Sequence, residues 1–177
     1  SKIILGWSES LDTLEMQKGR EVEDESIALF NQVSGNFFIK NAERKTTELF
    51  TGECDIHDED SSIIWDAKSS YSKKTHNLFL DINSNKLYFW QLVQYAVMWE
   101  TDNAGLARIL VDTPPHLIKS SDPLDWHEVS HIDPKYRVTT ASMQVTQELK
   151  EQLINRATLA QNKLKEMLDD KGFEYES

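Results

Sequence analysis

With 177 residues, 39% of them hydrophobic and 10% aromatic, the chain has the apolar material for one buried core but not for two large ones, so a single domain over 1–177 is expected. Five Trp, seven Phe and five Tyr exclude a disordered composition, and one cysteine, Cys54, excludes an internal disulfide, a thiolate zinc site and a cysteine-held iron–sulfur cluster. A formal charge of −11 argues against non-specific polyanion binding by the molecule as a whole, and no apolar run approaches the roughly 18 residues of a membrane span, so a soluble, intracellular (cytoplasmic) chain without a membrane partner is expected.

The first periodic segment, 16–33, predicts a helix with Val22, Ile27, Leu29, Phe30 and Val33 on its apolar face and Glu21, Asp24, Glu25 and Asn31 on the wet one. A helical turn is expected just before it, near 10–14. Ser34-Gly35-Asn36 breaks the pattern, and 37–40 reads as extended. Segment 46–56 is β-rich and 61–67 is a second strand, with the polar link His57-Asp58-Glu59-Asp60 short enough for a hairpin. A polar stretch, 69–77, follows. Apolar spacing then predicts a helix over 86–101, a short buried strand at 107–111 ended by Asp112-Thr113-Pro114-Pro115, and a helical excursion through 114–134. A last strand at 137–143 leads to a long helix over 146–170, with Leu149, Leu153, Ala157, Ala160, Leu164 and Leu168 on one side. The order is that of an α/β fold, a central mixed sheet flanked by helices.

Charge is unevenly spread along these elements. Residues 1–60 hold 14 of the 30 carboxylates, whereas 61–100 hold Asp66, Asp81 and Glu100 against Lys68, Lys73, Lys74 and Lys86. A globally acidic chain with a locally basic middle can still grip a polyanion, above all when some carboxylates face a divalent metal.

Alternate residues of a strand share a face, so Asp66 and Lys68 point the same way, and the hairpin can bring Asp55 beside them. Magnesium wants oxygen ligands, so Asp55, Asp66 and the Ala67 carbonyl can hold Mg²⁺ (or Mn²⁺), while Lys68 orients a water or offsets charge developing on a phosphate. The bland reading stands beside this one, because surface hairpins are rich in Asp and Lys and an Asp-x10-Asp-x-Lys spacing arises by chance. Two further features add weight. Gly19 precedes Glu23 by four residues on the first helix, and Gln91 and Tyr95 lie one helical turn apart on one face of another.

Taken in order, Lys18-Gly19, Gly52-x-x-Asp55, Ile64-x-Asp66-x-Lys68, Trp90-Gln91-x-x-x-Tyr95 and Val111-Asp112-Thr113-Pro114 resemble the PD-(D/E)xK nuclease superfamily. The branch is that of lambda-exonuclease-like and YqaJ-type viral recombination nucleases and RecB-like nuclease domains. The resemblance implies a restriction-endonuclease-like core and a metal-dependent DNA exonuclease of phage-type recombination or DNA processing, with DNA as partner. It assigns Glu23, Asp55 and Asp66 as metal ligands, Lys68 as the catalytic lysine, and Gln91 and Tyr95 as an accessory pair near the scissile phosphate. A homo-oligomer and a recombination partner protein are expectations by analogy. Among Glu21, Glu23 and Glu25, successive rotations of about 200° prevent all three from facing the sheet. Glu23 is expected toward Asp55 and Asp66, or, when no metal is bound, swung partly away or paired with Lys68, and Glu25 toward solvent.

The chain departs from the family at Cys54, where a proline commonly stands, and it has no Walker loop, so ATP-driven unwinding would need another chain. His57, His76, His116, His127 and His131 are read as lacking the His-x-x-x-His or His-x-Glu spacing of a zinc enzyme, and as exposed or core-satisfying. Ser69 to Lys74 is read as a phosphate-contacting or solvated loop, and Trp65, Trp90 and Trp99 as core rather than stacking platforms. The rival from another class is a catalytically inactive, acidic nuclease-fold protein that binds a protein partner.

Overall fold

A computed structural model describes residues 12–170. The expected first helix is two: α1 (Leu14–Glu21) and α2 (Glu23–Ser34), separated at Val22, whose backbone leaves the helical region at φ −105°, ψ 16°. Thr13 caps α1 through its side chain, and part of the expected turn at 10–14 lies outside the described residues. Gly35 ends α2 in the left-handed conformation at φ 71°, which glycine adopts without steric cost.

The single strand expected over 46–56 is also divided. Lys45–Thr46 (β1) and Thr51–Gly52 (β2) form a small antiparallel ladder, and Ile56–Asp58 (β3) joins the main sheet. That sheet has the order β3-β4-β5-β6, with β4 (Ile63–Ser69), β5 (Asn103–Ile109) and β6 (Val138–Gln144). The pairings β3–β4 and β5–β6 are antiparallel, and β4–β5 is parallel, with Asp66 opposite Leu106 and Lys68 opposite Arg108. A parallel pair needs a crossover, and α3 (Lys86–Met98) lies within it, capped by Asn85. The excursion at 114–134 holds three short 3-10 turns, at Pro115–Leu117, Leu124–Trp126 and Pro134–Tyr136, in place of a regular helix. The chain's last described element is α4 (Gln147–Asp169).

Period-2 alternation sorts the strand residues between two cores. Ile64, Ala104 and Leu106 pack against Leu92, Val93, Tyr95 and Ala96 of α3, whereas Ile56, Ala107 and Ile109 pack against Ile27 and Phe30 of α2, with Trp65 and Ala67 on that side. Trp65 lies flat on Gly105, where a β-carbon would stand 2.3 Å from the indole ring. Val33, expected on the core face of the first helix, is 36% exposed, and on α4 Ala160 is exposed while Leu168 is buried. The mixed sheet between helices agrees with the expected fold class. No helix among the described residues is long and apolar enough to cross a membrane.

Candidate active site

The cleft forms where β4 outruns its neighbour. Strand β3 pairs with residues 63–65 alone, which leaves the β3 side of Ala67 without a strand partner. Asp55, in the segment just before β3, fills that gap by accepting a hydrogen bond from the Ala67 N–H through Oδ2 at 2.5 Å. The alternation of β4 sends Asp66 and Lys68 to the α3 side. Asp66 is 2% exposed, and Lys68 Nζ stands 2.9 Å from each of its carboxylate oxygens. Geometry allows a hydrogen bond to Oδ1, while the buried Oδ2 has no hydrogen-bond partner.

Burial, and then the charge of Asp66, push the Asp55 carboxyl up to about 6, against the opposing pull of Lys68 and the Ala67 N–H. Burial alone would depress the Lys68 ammonium, but Asp66 and Asp55 together hold it above its ordinary value. Two carboxylates thus share one cation in a low-dielectric wall, with one buried oxygen unpartnered. A hard divalent ion fits that deficit of positive charge, and Asp55, Asp66 and the Ala67 carbonyl are the oxygens placed to meet it.

Glu23, the first residue of α2, lines the same cleft of about 460 Å³ as Asp55, Ala67 and Lys68. Its carboxylate is held by Lys40, with Oε2 2.7 Å from Nζ, and not by Lys68. Accordingly, among the described residues no three His, Cys, Asp or Glu side chains are gathered as a metal cluster. Glu25 is exposed, and Glu21 turns away to His116 at 3.1 Å. A β-carbon on Gly19 would meet nothing within 4 Å, so this glycine opens the cleft and is not demanded by close helix–sheet approach.

On α3, Gln91 Nε2 donates to the Tyr95 hydroxyl at 2.9 Å. Tyr95 is buried against the sheet, where desolvation raises its phenol and the charges of Asp66, Asp55 and Lys68 are all felt. This pair therefore borders the same wall, as one helical turn of spacing requires. Gly52 admits Tyr95, since a β-carbon there would lie 2.9 Å from the ring.

Three features differ from expectation. Ser70, Tyr71 and Ser72 are buried and not a solvated loop, because Lys18 of α1, itself 0% exposed, donates to the carbonyls of Ser70, Tyr71 and Val111 at 2.8, 3.1 and 2.8 Å. The sequence His127-Glu128-Val129-Ser130-His131 has the His-Glu-x-x-His spacing that holds zinc when it lies on a helix. Here it is a turn and coil: His127 is buried on Thr113 Oγ1 at 3.0 Å, and the Val129 and Ser130 amides bind Asp112. The spacing expected to be absent is therefore present, but His127 and His131 do not share a helical face. Arg108 lines the cleft, unremarked in the sequence although it is the one charged residue within the short apolar run Ala107-Arg108-Ile109-Leu110-Val111.

No family model and no curated protein matches the sequence. Solved structures do. A phage-related exonuclease from Haemophilus somnus 129PT superposes with a TM-score of 0.87 at 28% identity, covering 96% of this chain and 79% of that one. An alkaline exonuclease, LHK-Exo, from Laribacter hongkongensis superposes with a TM-score of 0.61 at 13% identity, over 96% of this chain and 79% of that one. Its complex with dAMP gives 0.59 at 12% identity, over 95% and 76%. The likeness first carried by short motifs thus extends to the fold of nearly the whole chain, which it shares with a phage-related exonuclease.

Proposed function

We propose that this protein is a metal-dependent deoxyribonuclease, an exonuclease acting on linear DNA in phage-type recombination or DNA processing. The observation that carries the reading is the convergence of Asp55, Asp66 and Lys68 at the open end of β4, with a buried carboxylate oxygen left without a hydrogen-bond donor. The fold shared with a phage-related exonuclease supports it.

Asp55, Asp66 and the Ala67 carbonyl would hold Mg²⁺ or Mn²⁺, with Glu23 joining from α2. When bound, such an ion lowers the pKa of water and offsets phosphate charge. Lys68 supplies the chain's own cation beside the reacting phosphate and stabilises the charge that grows there. Without a metal, Asp66 and Asp55 hold its ammonium above its ordinary value, so it can donate to the attacking water or to the phosphate. The Gln91 amide orients the Tyr95 hydroxyl, which can then donate to a phosphate oxygen.

The test is incubation of linear duplex DNA with the purified chain and Mg²⁺, Mn²⁺, or chelator. Degradation is expected with either metal and none with chelator. Metal-independent cleavage would overturn the assignment of the carboxylates. No cleavage under any condition would favour the non-catalytic, partner-binding reading that the charge of −11 motivates.

A further inference from the structure

Arg108 lies beside Lys68 in the register of the parallel pair β4–β5, one strand spacing, about 4.8 Å, further along the sheet. Both cations lie over the same aromatic ring: Lys68 Nζ and Arg108 Cζ are each 5.9 Å from the centroid of Tyr88. The strand around Arg108 is closed to solvent, with Leu106, Ala107 and Ile109 all buried, and the arginine itself is half-buried. A guanidinium taken partly out of water normally has a carboxylate to meet it. Arg108 has none among the described residues.

The acids that line the neighbouring space are engaged elsewhere. Glu15 pairs with Lys119 at 2.9 Å, Glu23 with Lys40 at 2.7 Å, Asp55 accepts from the Ala67 N–H, and Asp81 caps the 3-10 turn at Asn83 N, 2.9 Å away. Arg108 also stands where two cavities meet. Together with Thr75 and Tyr88 it lines both the cleft of Asp55 and Lys68 and an adjoining space of about 340 Å³ bordered by Asn77, Ser84 and Asn85. Asp81 also lines that second space, but its carboxylate is turned to the Asn83 N–H, and the amide and hydroxyl groups of Asn77, Ser84 and Asn85 can meet a sugar–phosphate chain while the unpaired planar guanidinium suits a phosphate bidentately.

We propose that Arg108 is a substrate-positioning residue that binds the internal backbone phosphate next to the scissile one, directing the DNA strand from Lys68 into the adjoining cavity. This rests on the nuclease reading above. It gives the acidic chain a local grip on a polyanion at the place where the chemistry needs register, and it requires no basic surface elsewhere.

The test is steady-state cleavage of linear duplex with Mg²⁺ by the wild type, Arg108→Gln and Arg108→Lys, at several salt concentrations and with 5′-phosphorylated or 5′-hydroxyl ends. Arg108→Gln should raise KM about tenfold with a smaller fall in kcat, and should flatten the slope of log(kcat/KM) against log salt by about one, as expected when one phosphate contact is lost. Arg108→Lys should restore the slope but recover KM incompletely, because an ammonium keeps the charge without the bidentate geometry. The losses should be equal for both kinds of end. A wild type that cleaves while Arg108→Gln keeps its KM and salt slope overturns this proposal alone, as does a fall confined to kcat. A loss confined to 5′-phosphorylated ends overturns the internal position. A wild type that fails to cleave overturns the nuclease reading and this proposal together.

Discussion

Asp66 and Lys68 show how tightly function and folding are joined at one residue pair. Replacing Asp66 by Asn keeps the shape and removes a charge, so turnover should fall by about a hundredfold or more while the chain stays folded. Lys68→Ala should cost as much activity, and it also removes the donor that holds Asp66, leaving a buried carboxylate with fewer partners. A loss of stability of about 1–3 kcal/mol is therefore expected for Lys68→Ala, measured by denaturant unfolding, and its activity must be read well below its melting temperature. Undiminished cleavage by either purified variant would remove the site assignment. The neighbouring glutamates offer a sharper discrimination. Glu23 lines the cleft although Lys40 holds its carboxylate, whereas Glu25 is exposed. If Glu23 turns inward to serve the metal, Glu23→Gln should raise the Mg²⁺ concentration for half-maximal activity about tenfold or more, and Glu25→Gln should change it less than about twofold. Equal responses of the two would place Glu23 outside the metal site.

Helix α1 is attached to the sheet by a buried ammonium. Lys18 reaches three carbonyls just beyond the ends of β4 and β5, so it anchors the segment that follows Lys68. Lys18→Met conserves the stem and strips all three donors; a destabilisation of about 3 kcal/mol or more is expected, since each buried carbonyl loses a partner. Burial pulls the Lys18 ammonium down to about 8, with Asp112 and Glu25 opposing. Because this value lies below that of the unfolded chain, the unfolded state holds the extra proton between about pH 8 and 10.5, and stability from this residue rises with pH across that window. Comparing wild type with Lys18→Met by denaturant unfolding at pH 7 and pH 9, the gap should widen by about 1 kcal/mol in favour of the wild type at the higher pH. An unchanged gap would show that the three carbonyls, rather than desolvation, govern the proton and keep it bound through pH 9. The break at Val22 belongs to the same scale, because it separates a helix tied to the sheet by Lys18 from one that packs through Ile27 and Phe30.

For the whole molecule, the charge of −11 sets the terms of substrate binding. On the nuclease reading, long-range attraction to DNA is weak, so recognition would come from short-range contacts inside the cleft, where Lys68 and Arg108 stand side by side. The likeness to a phage-related exonuclease makes a free strand end the expected substrate. Linear duplex should accordingly be consumed while covalently closed circles persist, as gel electrophoresis over a time course would show. Rapid nicking of closed circles would change the proposal to an endonuclease without bearing on the proposed metal ligands.

What the sequence alone determined is whatever depends on local geometry. The period of 2 placed Ile64, Asp66 and Lys68 on one face, the period of 3.6 set Gln91 against Tyr95, and the paired prolines after Thr113 closed the apolar run, because each follows from backbone stereochemistry over a few residues. The mixed sheet between helices was legible for the same reason, through the order of elements. What only the tertiary structure decided are partners chosen across long separations. The acceptors of Lys18 lie 52, 53 and 93 residues away, and they turn the polar 69–74 stretch into a partly buried one. Glu23 finds Lys40 rather than Lys68, and Arg108 comes to rest beside Lys68 because the crossover through α3 sets the register of β4 on β5. Register and long-range ion pairing depend on how two separate apolar faces settle against one sheet, and no local period encodes that.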